Sequence, residues 1–126
     1  MQHAVLSQAP ATNAAHALLG KGEALLAAHD AHRAKARFQD ALATFEAEDD
    51  RPGSARALLG LARALHMLGD AAARAAFEDA GLLYEDLGDD ATARAIDREL
   101  RALEAEIEES PRSFSYHHRI ALRPPN

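Results

Sequence analysis

Apolar residues recur at helical spacing in five segments of this 126-residue chain, and short polar breaks separate the segments. The fifth segment is the clearest, because Ile96, Leu100, Leu103 and Ile107 fall at i, i+4, i+7 and i+11 on one narrow stripe, whereas the rest of the segment is charged. The pattern predicts an all-α fold without a strand in this part of the chain. The predicted helices cover residues 12–28, 31–48, 53–68, 71–87 and 90–109.

The polar breaks carry the residues that end one helix and begin the next. Gly69-Asp70 and Gly88-Asp89 each place a glycine after a helix and a capping aspartate before the next one. Asp30 is a further candidate N-cap, and the stretch EDDRPGS at 48–54 is a strong helix break. Connections this short make consecutive helices antiparallel neighbours. We therefore predict stacked antiparallel helical hairpins in a domain spanning residues 11–110.

The second pair of helices repeats the first pair. Helices two and four align with a shift of 39 residues, and helices one and three with a shift of 40, so one residue is gained or lost in a turn. Aromatic, leucine and glycine positions are preserved as well as alanines, which favours a duplicated hairpin over coincidence in an alanine-rich chain. The paired positions include Phe38/Phe77, Ala41/Ala80, Phe45/Tyr84, Leu18/Leu58, Leu19/Leu59, Gly20/Gly60 and Leu25/Leu65.

The stretch ALLGLARALHMLGDAAARAAFEDAGLLYEDLGDDATARA, residues 57–95, resembles the tetratricopeptide repeat (TPR) in its longer variety of about 40 residues. The resemblance covers residues 14–107, about two and a half repeats. It implies a right-handed solenoid in which the fifth helix is the cap and the first helices of successive hairpins line a concave, peptide-binding groove. The chain departs from the family pattern at two points: Lys21 replaces a leucine, and the first helix of each hairpin lacks a large aromatic residue. The matching family positions are Gly22 and Ala62, Ala34 and Ala73, Phe38 and Phe77, and Ala41 and Ala80.

The resemblance also implies which residues face the groove. Three arginines among them, Arg56, Arg63 and Arg98, form a basic strip that suits carboxylates of a partner segment. The other interpretation is that these arginines are ordinary solvated residues that pair with nearby acids. The predicted partner-binding groove comprises His16, Leu19, Glu23, Leu26, Arg56, Leu59, Arg63, His66, Met67 and Arg98.

Composition and charge narrow the function classes. The net charge of −6 with interspersed signs argues against nucleic-acid binding, and the absence of cysteine excludes disulfides and thiolate chemistry. The N-terminal residues lack the features of a signal peptide, and no segment is apolar for long enough to cross a membrane, so we expect a cytoplasmic protein. Gly20-Lys21-Gly22 lacks the spacing of a phosphate-binding loop. Neither His29/His32 nor His117/His118 has the further ligands of a metal site. We therefore expect no catalytic residue, no cofactor and no bound metal.

The two ends of the chain differ from the helical part. Residues 1–10 are predicted to form an N-terminal arm, in which QHAVL at 2–6 could act as a strand. Residues 111–126 alternate apolar and polar side chains with a period of two, which predicts an extended, strand-like tail. This tail could fold back on the helices, pair with another copy or await a partner. The residues expected to dock are Phe114, Tyr116, Ile120 and Leu122.

Three functional hypotheses follow from these observations. The first is a non-catalytic adaptor that binds a protein or peptide segment, with acidic groups, in the groove. The second is a structural protein that forms homo-oligomers through its tail and helical faces. The third is a helical protein that binds a ligand or metal through His16, His66 and Glu23.

Overall fold

The computed structural model describes residues 2–109, and side chains from Asn13 onward. This part of the chain is all-α, as predicted, and holds five helices and no strand. Each helix packs against the next along the chain, and α1 also contacts α3. The helices are α1 (Gln2–Ala27), α2 (Ala31–Ala47), α3 (Arg51–Met67), α4 (Ala72–Asp86) and α5 (Asp90–Glu109).

All four connections between helices use the same backbone geometry. A single residue with positive φ ends each helix: His29 (60°), Asp49 (58°), Gly69 (70°) and Gly88 (82°). The backbone N–H of the aspartate that follows donates to the carbonyl five residues earlier, at 2.8 to 2.9 Å. This is the Schellman arrangement, which satisfies carbonyls that have no partner inside the helix. The four aspartates are Asp30, Asp50, Asp70 and Asp89.

The same aspartates begin the next helices through their carboxylates. Asp50 accepts a hydrogen bond from the backbone N–H of Gly53 at 2.9 Å, and Asp89 accepts one from Thr92 at 3.0 Å. Asp70 accepts from Ala72 at 2.9 Å, and Asp30 accepts from Arg33 at 3.4 Å. Each connection therefore ends one helix and supplies a carboxylate to the first turn of the next. At α4 this carboxylate belongs to Asp70, the residue before the N-cap Ala71, which makes no side-chain cap hydrogen bond of its own.

The core consists of two apolar clusters that meet at α3. The first is built around Phe38 and Phe45 of α2, and the second around Phe77 of α4 and Ile96 of α5. Alanines of α3 face both clusters, since this helix packs between α2 and α4. Small side chains allow the helix axes to approach closely, which agrees with the alanine-rich composition.

The ring of Phe38 lies between two helices that have glycine at the point of contact. A Cβ atom at Gly22 of α1 would come within 2.8 Å of this ring, and one at Gly60 of α3 would overlap it. Phe38 itself is completely buried. The glycines therefore allow α1 and α3 to approach each other on the same side of α2.

Helix α1 is longer than the sequence predicted. It begins at Gln2, so residues 2–6 are helical and not a strand, and Pro10 lies inside the helix. A proline inside a helix removes one backbone hydrogen bond and crowds the preceding turn. The segment before Pro10 consists largely of residues that favour helices, which offsets part of this cost. The predicted N-terminal arm is therefore corrected to the first turns of α1.

Helix α5 follows the predicted stripe over most of its length. Ile96 and Leu103 are buried and Leu100 is partly buried against the core. Ile107 differs, because it is 47% exposed near the C-terminal end of the helix. The predicted tail at 111–126 lies outside the described residues.

Candidate functional site

A cleft lies between α1 and α3, with its floor formed by α2 and α4. Its volume is about 400 Å³, and we call it the α1–α3 cleft. Five predicted groove residues line it: Glu23, Leu26, Arg56, Leu59 and Arg63. Leu59 lines the α3 side of the cleft and is only 8% exposed. The remaining lining residues are Ala27, Phe38, Gly60 and Tyr84.

Arg56 lies at the rim of this cleft and forms an ion pair with α1. One guanidinium nitrogen donates to Glu23 Oε2 at 3.0 Å and to Oε1 at 3.4 Å. Both side chains are about half exposed, at 52% and 50%. Exposed pairs of this kind contribute roughly 0–1 kcal/mol because water solvates both partners well. The guanidinium is thus held toward the cleft by a weak interaction.

Arg63 forms a tighter pair with α5. Its Nε donates to Glu99 Oε1 at 3.0 Å and a terminal nitrogen donates to Oε2 at 2.7 Å, which is the bidentate geometry of arginine and carboxylate. These hydrogen bonds raise the pKa of the Arg63 guanidinium above its ordinary value, with burial acting in the opposite direction. Arg63 therefore connects the α1–α3 cleft to the last helix.

Tyr84 of α4 lines the floor of the same cleft as the two arginines. Burial raises the pKa of its hydroxyl above the ordinary value, and the positive charge of Arg56 opposes this effect. The hydroxyl therefore stays neutral at physiological pH and can act as a hydrogen-bond donor or acceptor.

A second cleft continues from the first toward the start of α5. Its volume is about 460 Å³, and we call it the α3–α5 cleft. Arg56 and Tyr84 line both clefts, so the two form adjoining parts of one surface. The other lining residues are Pro52, Leu87, Asp89 and Thr92.

The remaining predicted groove residues lie outside both clefts. Leu19 is 1% exposed in the core, so its predicted role in partner contact is corrected to a packing role. The ring of His16 packs edge-on against Phe45, with centroids 5.1 Å apart. Met67 and Arg98 are exposed, on α3 and α5 respectively.

His66 forms a contact that the sequence did not predict. Its Nε2 lies 2.7 Å from Glu106 Oε2 of α5, and its ring packs edge-on to Phe77 with centroids 6.2 Å apart. Among the residues that the structure describes, no three His, Asp or Glu side chains converge in a way that could hold a metal ion. The tail residues Phe114, Tyr116, Ile120 and Leu122 lie outside the described part.

Sequence reasoning allowed that the arginines pair with nearby acids and included Glu23 in the groove, but it did not identify Glu99 and Glu106 of α5 as partners. Glu99 and Glu106 are seven residues apart, two helical turns, and so lie on the same face of α5, toward Arg63 and His66 of α3. The spacing was visible in the sequence, but the register between α3 and α5 was not. Tyr84 was missed for a related reason, since its side chain enters the cleft from α4, which is not among the helices predicted to line the groove.

No helix in the part of the chain that the structure describes combines the length and apolar character needed to cross a bilayer. Comparisons with protein-family models, with curated proteins and with solved structures return no match for this chain.

Proposed function

We propose that the chain is a non-catalytic protein-interaction module with a TPR-like arrangement of its helices. Its ligand is an extended segment of a partner protein that carries a carboxylate. This segment lies along the α1–α3 and α3–α5 clefts. The observation that carries the proposal is the position of Arg56, which borders both clefts.

Arg56 is the arginine best placed to accept a carboxylate from a partner. Its pair with Glu23 is exposed and uses one guanidinium nitrogen. Among the described side chains no other acid pairs with Arg56, so its second terminal nitrogen is open to a ligand. Exchange of one exposed carboxylate for another changes the free energy little. Arg63, by contrast, already uses two nitrogens on Glu99 and is expected to keep that partner.

The clefts also offer apolar contact beside the charge. Leu26 and Leu59 line the first cleft and Leu87 lines the second, with Tyr84 between them. Partner sites commonly combine such apolar and aromatic surface with a few polar groups that fix orientation. A segment with an apolar residue next to Asp or Glu is the ligand that fits this arrangement.

A peptide-display experiment tests this proposal. Random linear peptides are selected on the full chain, and the affinity of the selected peptides is measured by fluorescence anisotropy. We expect sequences that contain an acidic residue beside an apolar one. We also expect Arg56→Gln to weaken their binding about tenfold, because a hydrogen bond to a charged group contributes roughly 1.5 kcal/mol.

Arg33→Gln is the matched control. Arg33 lies on α2, is 77% exposed and forms an ion pair with Asp30, but it lines neither cleft. The two variants lose the same charge, so equal loss of binding in both would mean that the peptides respond to net charge alone. Equal loss, or selection of no peptide at all, would refute the proposed function.

A further inference from the structure

A further crevice lies between α4 and α5, outside the clefts described above. Its volume is about 770 Å³, and we call it the α4–α5 crevice. Phe77 and Ile96 form its buried floor, and Leu100 is partly buried beside them. Leu82 also lines it but is 61% exposed, the most exposed large apolar side chain of the described residues. An apolar surface of this kind is typical of a binding site.

The crevice is strongly acidic. Its charged lining residues comprise five acids, Glu78, Asp79, Glu85, Asp90 and Asp97, against the single base Arg94. Only Asp97 has an ion-pair partner within the described side chains, Arg101 at 2.9 Å. An occupant with apolar side chains and positive charge fits this lining.

Residues 110–126 of the same chain have that composition. They include Arg112, Arg119 and Arg123 and contain no Asp or Glu. Their larger apolar residues occur at alternate positions, so that an extended chain would present them on one side. These residues are Phe114, Tyr116, Ile120 and Leu122.

The distance from the end of α5 to the crevice suits this segment. Leu100 precedes the end of α5 at Glu109 by nine residues, which is about 14 Å at roughly 1.5 Å per residue. An extended chain advances about 3.3 Å per residue, so a segment that turns back after Glu109 reaches the level of Leu100 near residue 114. The crevice continues along α5 to Asp90, which lies about 15 Å beyond Leu100. About five further residues of extended chain after residue 114 span this distance.

We propose that residues 110–126 fold back along α5 and occupy the α4–α5 crevice of their own chain. The apolar side chains from Phe114 to Ile120 cover Leu82 and Leu100, and the arginines face the carboxylates at the rim. The short tether gives the segment a high effective concentration at its own crevice, which favours this occupant over a second copy. This inference is independent of the proposed function, because the crevice and the clefts share no residue.

Paramagnetic relaxation measured by NMR tests the proposal on the full chain. The sequence has no cysteine, so Ser115→Cys creates a single site for a nitroxide label. We expect loss of the amide signals of Gly81, Leu82 and Ala93, while that of Leu25 in α1 is retained. Signals lost to the same extent in α1 and in the crevice would overturn the proposal.

A mixed sample distinguishes the chain's own tail from that of a second copy. Isotope-labelled protein without nitroxide is combined with unlabelled protein that carries it. We expect the crevice signals to be retained in this sample. Their loss would show that the tail of another copy occupies the crevice and would refute the intramolecular arrangement.

Two matched substitutions test the contact itself. Leu82→Lys replaces an apolar contact in the crevice with a positive charge that repels the arginines of the tail, and it is expected to restore the crevice signals. Met67→Lys, at a residue 43% exposed on α3, is expected to leave these signals weakened. Both sites are exposed, so neither variant is expected to unfold, which circular dichroism checks. Raising the salt concentration should also restore part of the signals, because it screens the charges. Equal behaviour of the two variants would contradict the proposed contact.

Discussion

The backbone of Gly60 in α3 lies directly against the ring of Phe38 in α2, leaving no room for a Cβ atom at position 60. The equivalent glycine in the first hairpin, Gly20, has open space at the same position. The two residues are paired in the sequence alignment, yet only one of them is in contact with the core. The structure thus distinguishes two glycines that the sequence pattern treats alike.

Substitution of both glycines by alanine should therefore have opposite effects. Alanine favours a helix over glycine by about 0.5–1 kcal/mol, so Gly20→Ala is expected to stabilise the protein by that amount. Gly60→Ala gains the same stabilisation from helix propensity, but its methyl group would press against the fully buried ring of Phe38, which costs roughly 1–3 kcal/mol. We therefore expect a net destabilisation of about 1 kcal/mol. Urea denaturation of both variants measures the difference. Stabilisation of the protein by both variants would mean that Phe38 moves aside without cost.

The helices and their connections were largely predictable from the sequence. The ends of α2 to α5 lie within two residues of the predicted positions, because Gly69-Asp70 and Gly88-Asp89 are typical helix ends and Asp30 is a typical N-cap. These signals are local, and they depend on backbone geometry over a few residues. The start of α1 was predicted wrongly because Pro10 with Thr12 has the same local signature as a true start.

The candidate site was predictable only in part. Arg56 and Arg63 were identified from their positions on α3, and they do line one cleft. Their partners Glu23 and Glu99 depend on the register between helices, which side-chain packing sets and a periodic pattern does not reveal. The burial of Leu19 was missed for the same reason, since helical spacing alone does not say which of two adjacent faces meets α2.

The connection after α1 offers a second stability prediction. His29 has a φ of 60°, a conformation that costs an L-residue roughly 1–2 kcal/mol. Glycine adopts this φ without strain, but its greater backbone entropy in the unfolded state costs about 0.5–1 kcal/mol on folding. We expect His29→Gly to stabilise the protein by about 0.5–1 kcal/mol in urea denaturation. Gly69→Ala is the matched control at the equivalent connection, where a Cβ atom meets no other atom, and it should destabilise by about 1 kcal/mol. Destabilisation by His29→Gly would show that the imidazole makes a contact that outweighs the backbone cost.

The cap of α5 should depend on pH through Asp89. The hydroxyl of Thr92 donates to the Asp89 carboxylate at 2.7 Å, and this bond, followed by the one from the Thr92 backbone, lowers the pKa of Asp89 below its ordinary value. A carboxyl whose pKa is lower when folded stabilises the protein above its unfolded pKa. That contribution is lost as the pH falls through the folded pKa.

Thr92→Val removes the hydroxyl but keeps the shape of the side chain. We expect the pKa of Asp89 to rise toward its ordinary value in this variant, as measured by the pH dependence of its carboxyl carbon signal in NMR. An unchanged pKa at Asp89 would mean that the backbone bond alone holds the carboxylate.

The two arginine pairs of the clefts should differ in strength, and the proposed function depends on this difference. Arg63–Glu99 has two short hydrogen bonds and exposures of 45% and 35%, whereas Arg56–Glu23 uses one nitrogen and is about half exposed. Double-mutant cycles to alanine, read by urea denaturation, should give a coupling of about 0.5–1 kcal/mol for the first pair and less than about 0.5 kcal/mol for the second.

The exposed pair Arg101–Asp97 within α5 is a reference, with about 0.3–0.5 kcal/mol expected for this spacing. A stronger coupling at Arg56 than at Arg63 would contradict the proposed exchange, because a partner carboxylate would then displace Glu23 only at a substantial loss of stability.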